Sequence, residues 1–181
     1  MNEKKSILKK ITASREASLL IVLIVLCIAI TAKSPSFMTA KSISDMLKNN
    51  AVIMIMALGM LGVLLVGGID ISVASTLSFS GMTVGMLMKN RVVTSTPLLF
   101  LIAVAVGAAC GLVIGLVIAY GKVIPIIATM GFMYIYRGMA YLISNSEWAS
   151  AENLGTFKNF ALGKTLGLNN VIWVTIICYV I

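Results

Sequence analysis

The side chain with the most chemical content is Asp70, the one ionisable residue between Lys48 and Lys89, set in the run Gly67, Gly68, Ile69, Asp70, Ile71, Ser72. An acid between two apolar segments is costly against lipid. It therefore belongs either in a loop at the membrane surface or at an interface, in a cavity or against a partner. Gly67 and Gly68 permit backbone conformations that other residues resist, and Ser72 followed by Ser75 offers a hydroxyl cap for a new helix. Arg137, between Tyr136 and Gly138, reads either as a cation that snorkels to the surface or as a functional charge; Pro125 and Thr129 precede it in the same segment.

These groups can bend a helix and line a polar path, but other chemistry is not supported. The chain has no His, and its acids Glu3, Glu16, Asp45, Asp70, Glu147 and Glu152 do not cluster. No catalytic residue, metal site or cofactor is expected. Gly163, Lys164 and Thr165 resemble the end of a phosphate loop, but Lys158 stands where the first glycine of that motif is required. ATP binding by this chain is therefore not expected.

The elements that must position these residues are membrane spans. Hydrophobic residues make up 60% of the chain and charged ones 11%, against roughly 45–50% and about 25% in soluble domains. The mean hydropathy is +1.05, and no soluble fold of this length buries so many long apolar runs. The net charge of +8 does not indicate nucleic acid, because Lys4, Lys5, Lys9, Lys10 and Arg15 precede the first span as a cytoplasmic flank would. A signal peptide is the competing reading. No convincing small-residue cleavage site follows, so the first helix is expected to be uncleaved.

Residues Ala17 to Ala32 read as that first helix, stopped by Pro35. Ile43, Met46 and Leu47 suggest a short interfacial helix. Ala51 to Gly67 and Ser72 to Met88 then form two helical segments joined by a very tight connection. Lys89, Asn90 and Arg91 form a polar turn, after which Pro97 to Tyr120 is a full span, and Val123 to Ile143 is a fifth segment. Ser144 to Asn170 is an exposed loop with some local structure, and Val171 to Ile181 is about half a span.

The expected fold is thus an all-α polytopic membrane protein: five complete hydrophobic segments, a truncated sixth and a glycine-rich helix break. Residues 1–16 form a basic cytoplasmic N-terminus and 17–181 a C-terminally truncated transmembrane domain. Strict alternation puts Lys89 and Arg91 outside; a discontinuous element at Gly67 to Asp70 would put them inside, so orientation stays open.

Gly107, Gly111 and Gly115 recur every four residues, and Gly81 and Gly85 repeat the spacing, as helix packing in lipid requires. Trp148, Tyr134, Tyr136 and Tyr141 fit an interfacial aromatic belt, although aromatic rings also stack on sugar rings. Cys27, Cys110 and Cys178 lie in apolar runs without an evident disulfide partner.

The run Leu65 to Gly81, LVGGIDISVASTLSFSG, resembles the signature of bacterial ABC sugar-importer permeases, the family of the ribose, xylose, rhamnose and autoinducer-2 transporters. The usual pattern there is Gly-Gly-Ile-Asp-Leu-Ser-Val-Gly-Ser, from which this chain departs at Ile71 and Ala74. A second block, Val123 to Tyr141, is similar to the family's Pro-x-Ile-x-Thr-Leu-Gly segment followed by Tyr-Arg-Gly. Trp148 looks like the rhamnose and autoinducer-2 branches. The resemblance covers essentially all of the chain after the basic N-terminus and identifies it with the N-terminal half of such a permease.

What the resemblance implies is a subunit of the bacterial inner membrane that moves a sugar without covalent chemistry. Its partners would be a second permease subunit, identical or not, separate ATP-hydrolysing subunits and an extracytoplasmic sugar-binding protein. Gly67, Gly68, Asp70, Ser72 and Ser75 would form a bend near the path, and Pro125, Thr129, Arg137 and Gly138 a second irregular element. A branched-chain amino-acid permease of the same superfamily, an ion-driven transporter and a non-transporting membrane fragment are the alternatives.

Overall fold

The structure is a computed structural model that describes residues 15–149 and 155–180. The basic cluster Lys4, Lys5, Lys9 and Lys10, together with Glu152 and Ile181, lies outside the described residues. The regular structure among the described residues is helical apart from one two-residue β ladder, as the composition requires. The chain divides into two compact units between Asn49 and Asn50.

In the first unit, α1 (Arg15–Lys33) is followed by a 3-10 turn over Pro35–Met38, with Pro35 at its start. Helix α1 has 19 residues, about 28 Å at 1.5 Å each, and its apolar side chains from Leu19 to Ile30 are mostly exposed, as lipid-facing residues are. Helix α2 (Ala40–Leu65) begins in this unit and continues into the second. The separate interfacial helix expected around Ile43, Met46 and Leu47 does not exist: it is the first part of α2. No Gly or Pro occurs from Ala40 to Leu58, so extending the helix costs less than ending it and nucleating another.

In the second unit, α2 ends where the glycines stand. The N–H of Gly67 donates to the Leu64 carbonyl and that of Gly68 to the Val63 carbonyl, both at 3.0 Å. That pair of bonds is a Schellman cap, and it requires the left-handed φ of +76° found at Gly67. A Cβ added there would meet no atom within 4 Å, so the cost of a side chain is conformational alone. Gly67→Ala should lower stability by about 1 kcal/mol. Thermal unfolding in detergent checks this, and an unchanged midpoint would show that the cap does not need glycine.

Helices α3 (Val73–Lys89), α4 (Thr96–Gly121) and α5 (Pro125–Ser144) form the packed centre of this unit. Pro97 and Pro125 each stand in a first helical turn, where a missing N–H costs nothing. Met88 and Val84 of α3 pack on Leu99 near the start of α4, while Phe79 packs on Cys110 and Ile114 further along, so α3 and α4 run antiparallel. Ser80 donates to the Ala103 carbonyl at 2.9 Å and Tyr136 to the Cys110 carbonyl at 2.8 Å, tying α3 and α5 to α4. In lipid such packing and interhelical bonds, rather than water exclusion, hold helices together.

Among the described residues three helices are long and apolar enough to cross a membrane: α2, α4 and α5. The apolar stretch Ala17–Lys33 of α1, and α3, have 17 residues each and fall just short of that length. The expected loop after α5 carries α6 (Gly155–Leu162) and an antiparallel ladder of β1 (Lys164–Thr165) with β2 (Leu168–Asn169). Phe157 and Phe160 of α6 pack their rings against Phe100 of α4. The chain then enters α7 (Asn170–Val180), whose Tyr179 hydroxyl donates to the Met54 carbonyl of α2 at 3.1 Å.

Candidate functional site

The stretch between α2 and α3 is short, irregular and held by one carboxylate. Asp70 accepts two hydrogen bonds on one oxygen, from the Ser72 backbone N–H at 2.8 Å and the Ser72 hydroxyl at 2.6 Å. The Ser75 hydroxyl donates to the Ser72 carbonyl at 2.7 Å. Ser72 does occupy the cap position of α3, but its hydroxyl makes no cap bond. The Asp70 carboxylate has claimed the donor, so the capping expected of the serines is replaced by an Asx turn. Ser72 is wholly buried and Ser75 nearly so, while Asp70 is half-buried.

The second block meets this turn. Thr129, in the second turn of α5 and 2% exposed, places its hydroxyl 3.4 Å from the Ile69 carbonyl and 3.3 Å from that of Ile126. At the other end, Lys89 at the close of α3 pairs with Glu147, just beyond α5. Two such contacts, one at each end, mean that α3 and α5 lie side by side and run the same way. The hydrogen bond from Lys89, and then its charge, hold the Glu147 carboxyl below its ordinary pKa.

Between α3 and α5 runs a cleft of about 410 Å³. Ser75 and Ser78 line one wall, Arg137 and Tyr141 the other, and Glu147 with Trp148 its mouth. Arg137 therefore shares a cleft with Ser75, whereas Gly138 has nothing within 4 Å of a Cβ built on it. Pro125 belongs to the Thr129 end, at the start of α5. A larger hollow of about 710 Å³ along α1 is lined by Leu23, Ile24, Cys27, Met38 and similar groups. Its hydroxyl, Thr31, is already bonded to the Cys27 carbonyl, so it offers little to a polar ligand.

The glycines divide. A Cβ on Gly85 would stand 2.7 Å from the Cβ of Ala149, so this glycine lets the loop after α5 lie on α3. Gly81, Gly107, Gly111 and Gly115 have nothing within 4 Å of such a Cβ. Tyr134 and Tyr141 are exposed, as a belt requires, but Tyr136 is 5% exposed and stacks on Phe79 with ring centroids 6.0 Å apart. It is a core residue, and its phenol is satisfied by the Cys110 carbonyl. Of the cysteines, Cys110 is buried, Cys27 half-buried and Cys178 exposed, and none forms a disulfide.

Residues 42–181 match the family described as the permease component of branched-chain amino acid transport systems. The chain belongs to this permease family. The ribose import permease protein RbsC of Escherichia coli (strain K12) is 33% identical over 162 residues, 88% of this chain and 50% of the relative. The autoinducer 2 import system permease protein LsrD of the same strain is 31% identical over 171 residues, 92% of this chain and 51% of the relative. The chain spans about half the length of the curated relatives it matches. No solved structure matches it. The Asp70 turn and the Thr129 contact both fall within the part of this permease that the family covers.

Proposed function

We propose that the chain is a membrane-spanning permease subunit of an ATP-binding-cassette importer in the bacterial inner membrane. Its substrate is a sugar or sugar-like molecule of the ribose, xylose, rhamnose or autoinducer-2 class, moved into the cytoplasm. The observation that carries this reading is the meeting of Thr129 with the Ile69 carbonyl, which joins the two sequence blocks of the resemblance at the irregular connection between α2 and α3. Irregular backbone at membrane depth is tolerated only where protein covers it or where it lines a cavity, and transporters use such breaks for their substrates. The names of the ribose and autoinducer-2 relatives support the sugar class.

On this reading Gly67, Gly68, Asp70, Ser72 and Ser75 form a bend beside the path, faced by Pro125, Thr129, Arg137 and Gly138. The open faces at Gly81, Gly107, Gly111 and Gly115 suit close approach by a partner subunit's helices. Residues 1–16 are a cytoplasmic flank and 17–181 the transmembrane domain. The partners are a second permease subunit, ATP-hydrolysing subunits and an extracytoplasmic sugar-binding protein, and the permease itself carries out no bond chemistry.

Proteoliposomes holding the permease, expressed from its complete reading frame, with its ATPase and binding-protein partners, test this. One labelled sugar among ribose, rhamnose and autoinducer 2 should accumulate only with ATP. Accumulation of leucine instead would replace the sugar reading. Uptake driven by an ion gradient would move the protein to another transporter class, and a stable complex without any uptake would end the permease reading.

A further inference from the structure

We propose that the α3–α5 cleft is itself a binding site for a neutral, ring-shaped polyol of monosaccharide size, gripped by Arg137 and covered at its mouth by Trp148. The inference rests on the permease reading for its substrate class, but its geometry is independent of transport.

Three features of the cleft converge on that ligand. The first is an exposed cation. Among the described residues the one ion pair joins Lys89 to Glu147, and among them no anion pairs with Arg137, which stands exposed on the cleft wall. A guanidinium on a membrane helix is expensive against hydrocarbon, so this face turns to a polar occupant rather than to lipid tails. Its planar fork of N–H donors suits two neighbouring oxygens.

The second feature is a facing hydroxyl with spare acceptor capacity. Ser78, exposed on the α3 wall opposite Arg137, donates to the Ala74 carbonyl. Its proton is thus committed within the protein while an oxygen lone pair stays available. It accepts a hydrogen bond from a ligand hydroxyl, whereas the Glu147 carboxylate in the same lining disfavours a ligand carboxylate or phosphate. The guanidinium donors on one wall and the Ser78 acceptor on the other together match a group that both accepts and donates, as each hydroxyl of a polyol does.

The third feature is the mouth. Trp148 is 88% exposed and Tyr141 58%, so two aromatic faces flank the opening, suited to the C–H face of a ring. The loop that carries Trp148 is pinned to α3 on both sides of it, by Glu147 on Lys89 and by Ala149 on Gly85. The aromatic platform is thereby positioned in advance. The volume of about 410 Å³ is at the small end of ligand pockets, which run from about 300 to 1,000 Å³.

The chain contains two tryptophans, Trp148 and Trp173. With Trp173→Phe, and any tryptophan outside these 181 residues likewise replaced by Phe, the full reading frame in nanodiscs keeps Trp148 as the reporter at the cleft mouth. D-Ribose should change Trp148 emission saturably, and leucine at equal concentration should not. Arg137→Gln should weaken the response about tenfold or more, the loss of a charge-assisted hydrogen bond, and Arg137→Lys should lose less. Ser78→Ala, on the opposite wall, should weaken it without altering the unfolding midpoint.

No saturable change with D-ribose, an equal response to leucine, or a response unaltered in Arg137→Gln would each overturn the proposal. The outcomes separate from those of the uptake assay. Sugar uptake without a Trp148 response sinks the cleft and leaves the permease, whereas a response without sugar uptake keeps the cleft and sinks the permease reading.

Discussion

Tyr136→Ala is expected to lower the stability of the α3–α4–α5 centre by about 3 kcal/mol, the cavity cost of deleting a buried aromatic together with an interhelical hydrogen bond. The ring stacks on Phe79, touches Phe132 at a centroid distance of 5.4 Å, and sends its hydroxyl to the Cys110 carbonyl. One side chain therefore joins all three helices. Tyr136→Phe keeps the ring and loses only the hydroxyl, so it should cost about 1 kcal/mol or less. Unfolding of the purified permease in detergent, followed by circular dichroism, measures both. Equal costs for the two variants would mean that the hydrogen bond, not the packing, carries the contact. Two small costs would mean that Tyr136 does not organise the unit.

Asp70→Asn should reduce substrate uptake about tenfold or more while leaving the fold nearly as stable as before, because Asn offers the same oxygen to Ser72 without the charge. Asp70→Ala removes the acceptor as well. It should lose uptake to the same extent and additionally cost about 1 kcal/mol of stability, as loss of a helix cap does. The two variants together separate a charge needed on the path from a carboxylate that merely starts α3. Uptake by Asp70→Asn equal to that of the unaltered protein, with normal assembly, would reduce Asp70 to a cap. Measuring uptake and the unfolding midpoint on the same preparations makes that outcome distinguishable from misfolding.

Local chemistry made much of the fold legible. Pro35, Pro97 and Pro125 stand at helix starts, and Gly67 with Gly68 ends α2, because these residues restrict or free φ within one turn, whatever surrounds them. The polar stretch around Lys48 to Asn50 misled for the complementary reason. Polarity marks where a helix leaves lipid, but only a backbone breaker marks where it ends, and none is present there.

Apolar character alone separated lipid from water as the solvent of this chain, since its long apolar runs exceed what a domain of this size can bury. It did not separate the inside of the bundle from the outside. In lipid a side chain facing a neighbouring helix and one facing acyl tails are equally apolar, so Tyr136 and Tyr134, two residues apart on one helix, could be told apart only when the helices were packed. The same holds for the contacts that build the candidate site. Thr129 meets Ile69 across 60 residues, Lys89 meets Glu147 across 58, and no local pattern encodes a pairing at that distance. The sequence by itself determined the solvent, the helix break and the residue types available for chemistry. Tertiary structure decided which of those residues face one another, because that depends on how α3, α4 and α5 pack rather than on the order in which they are written.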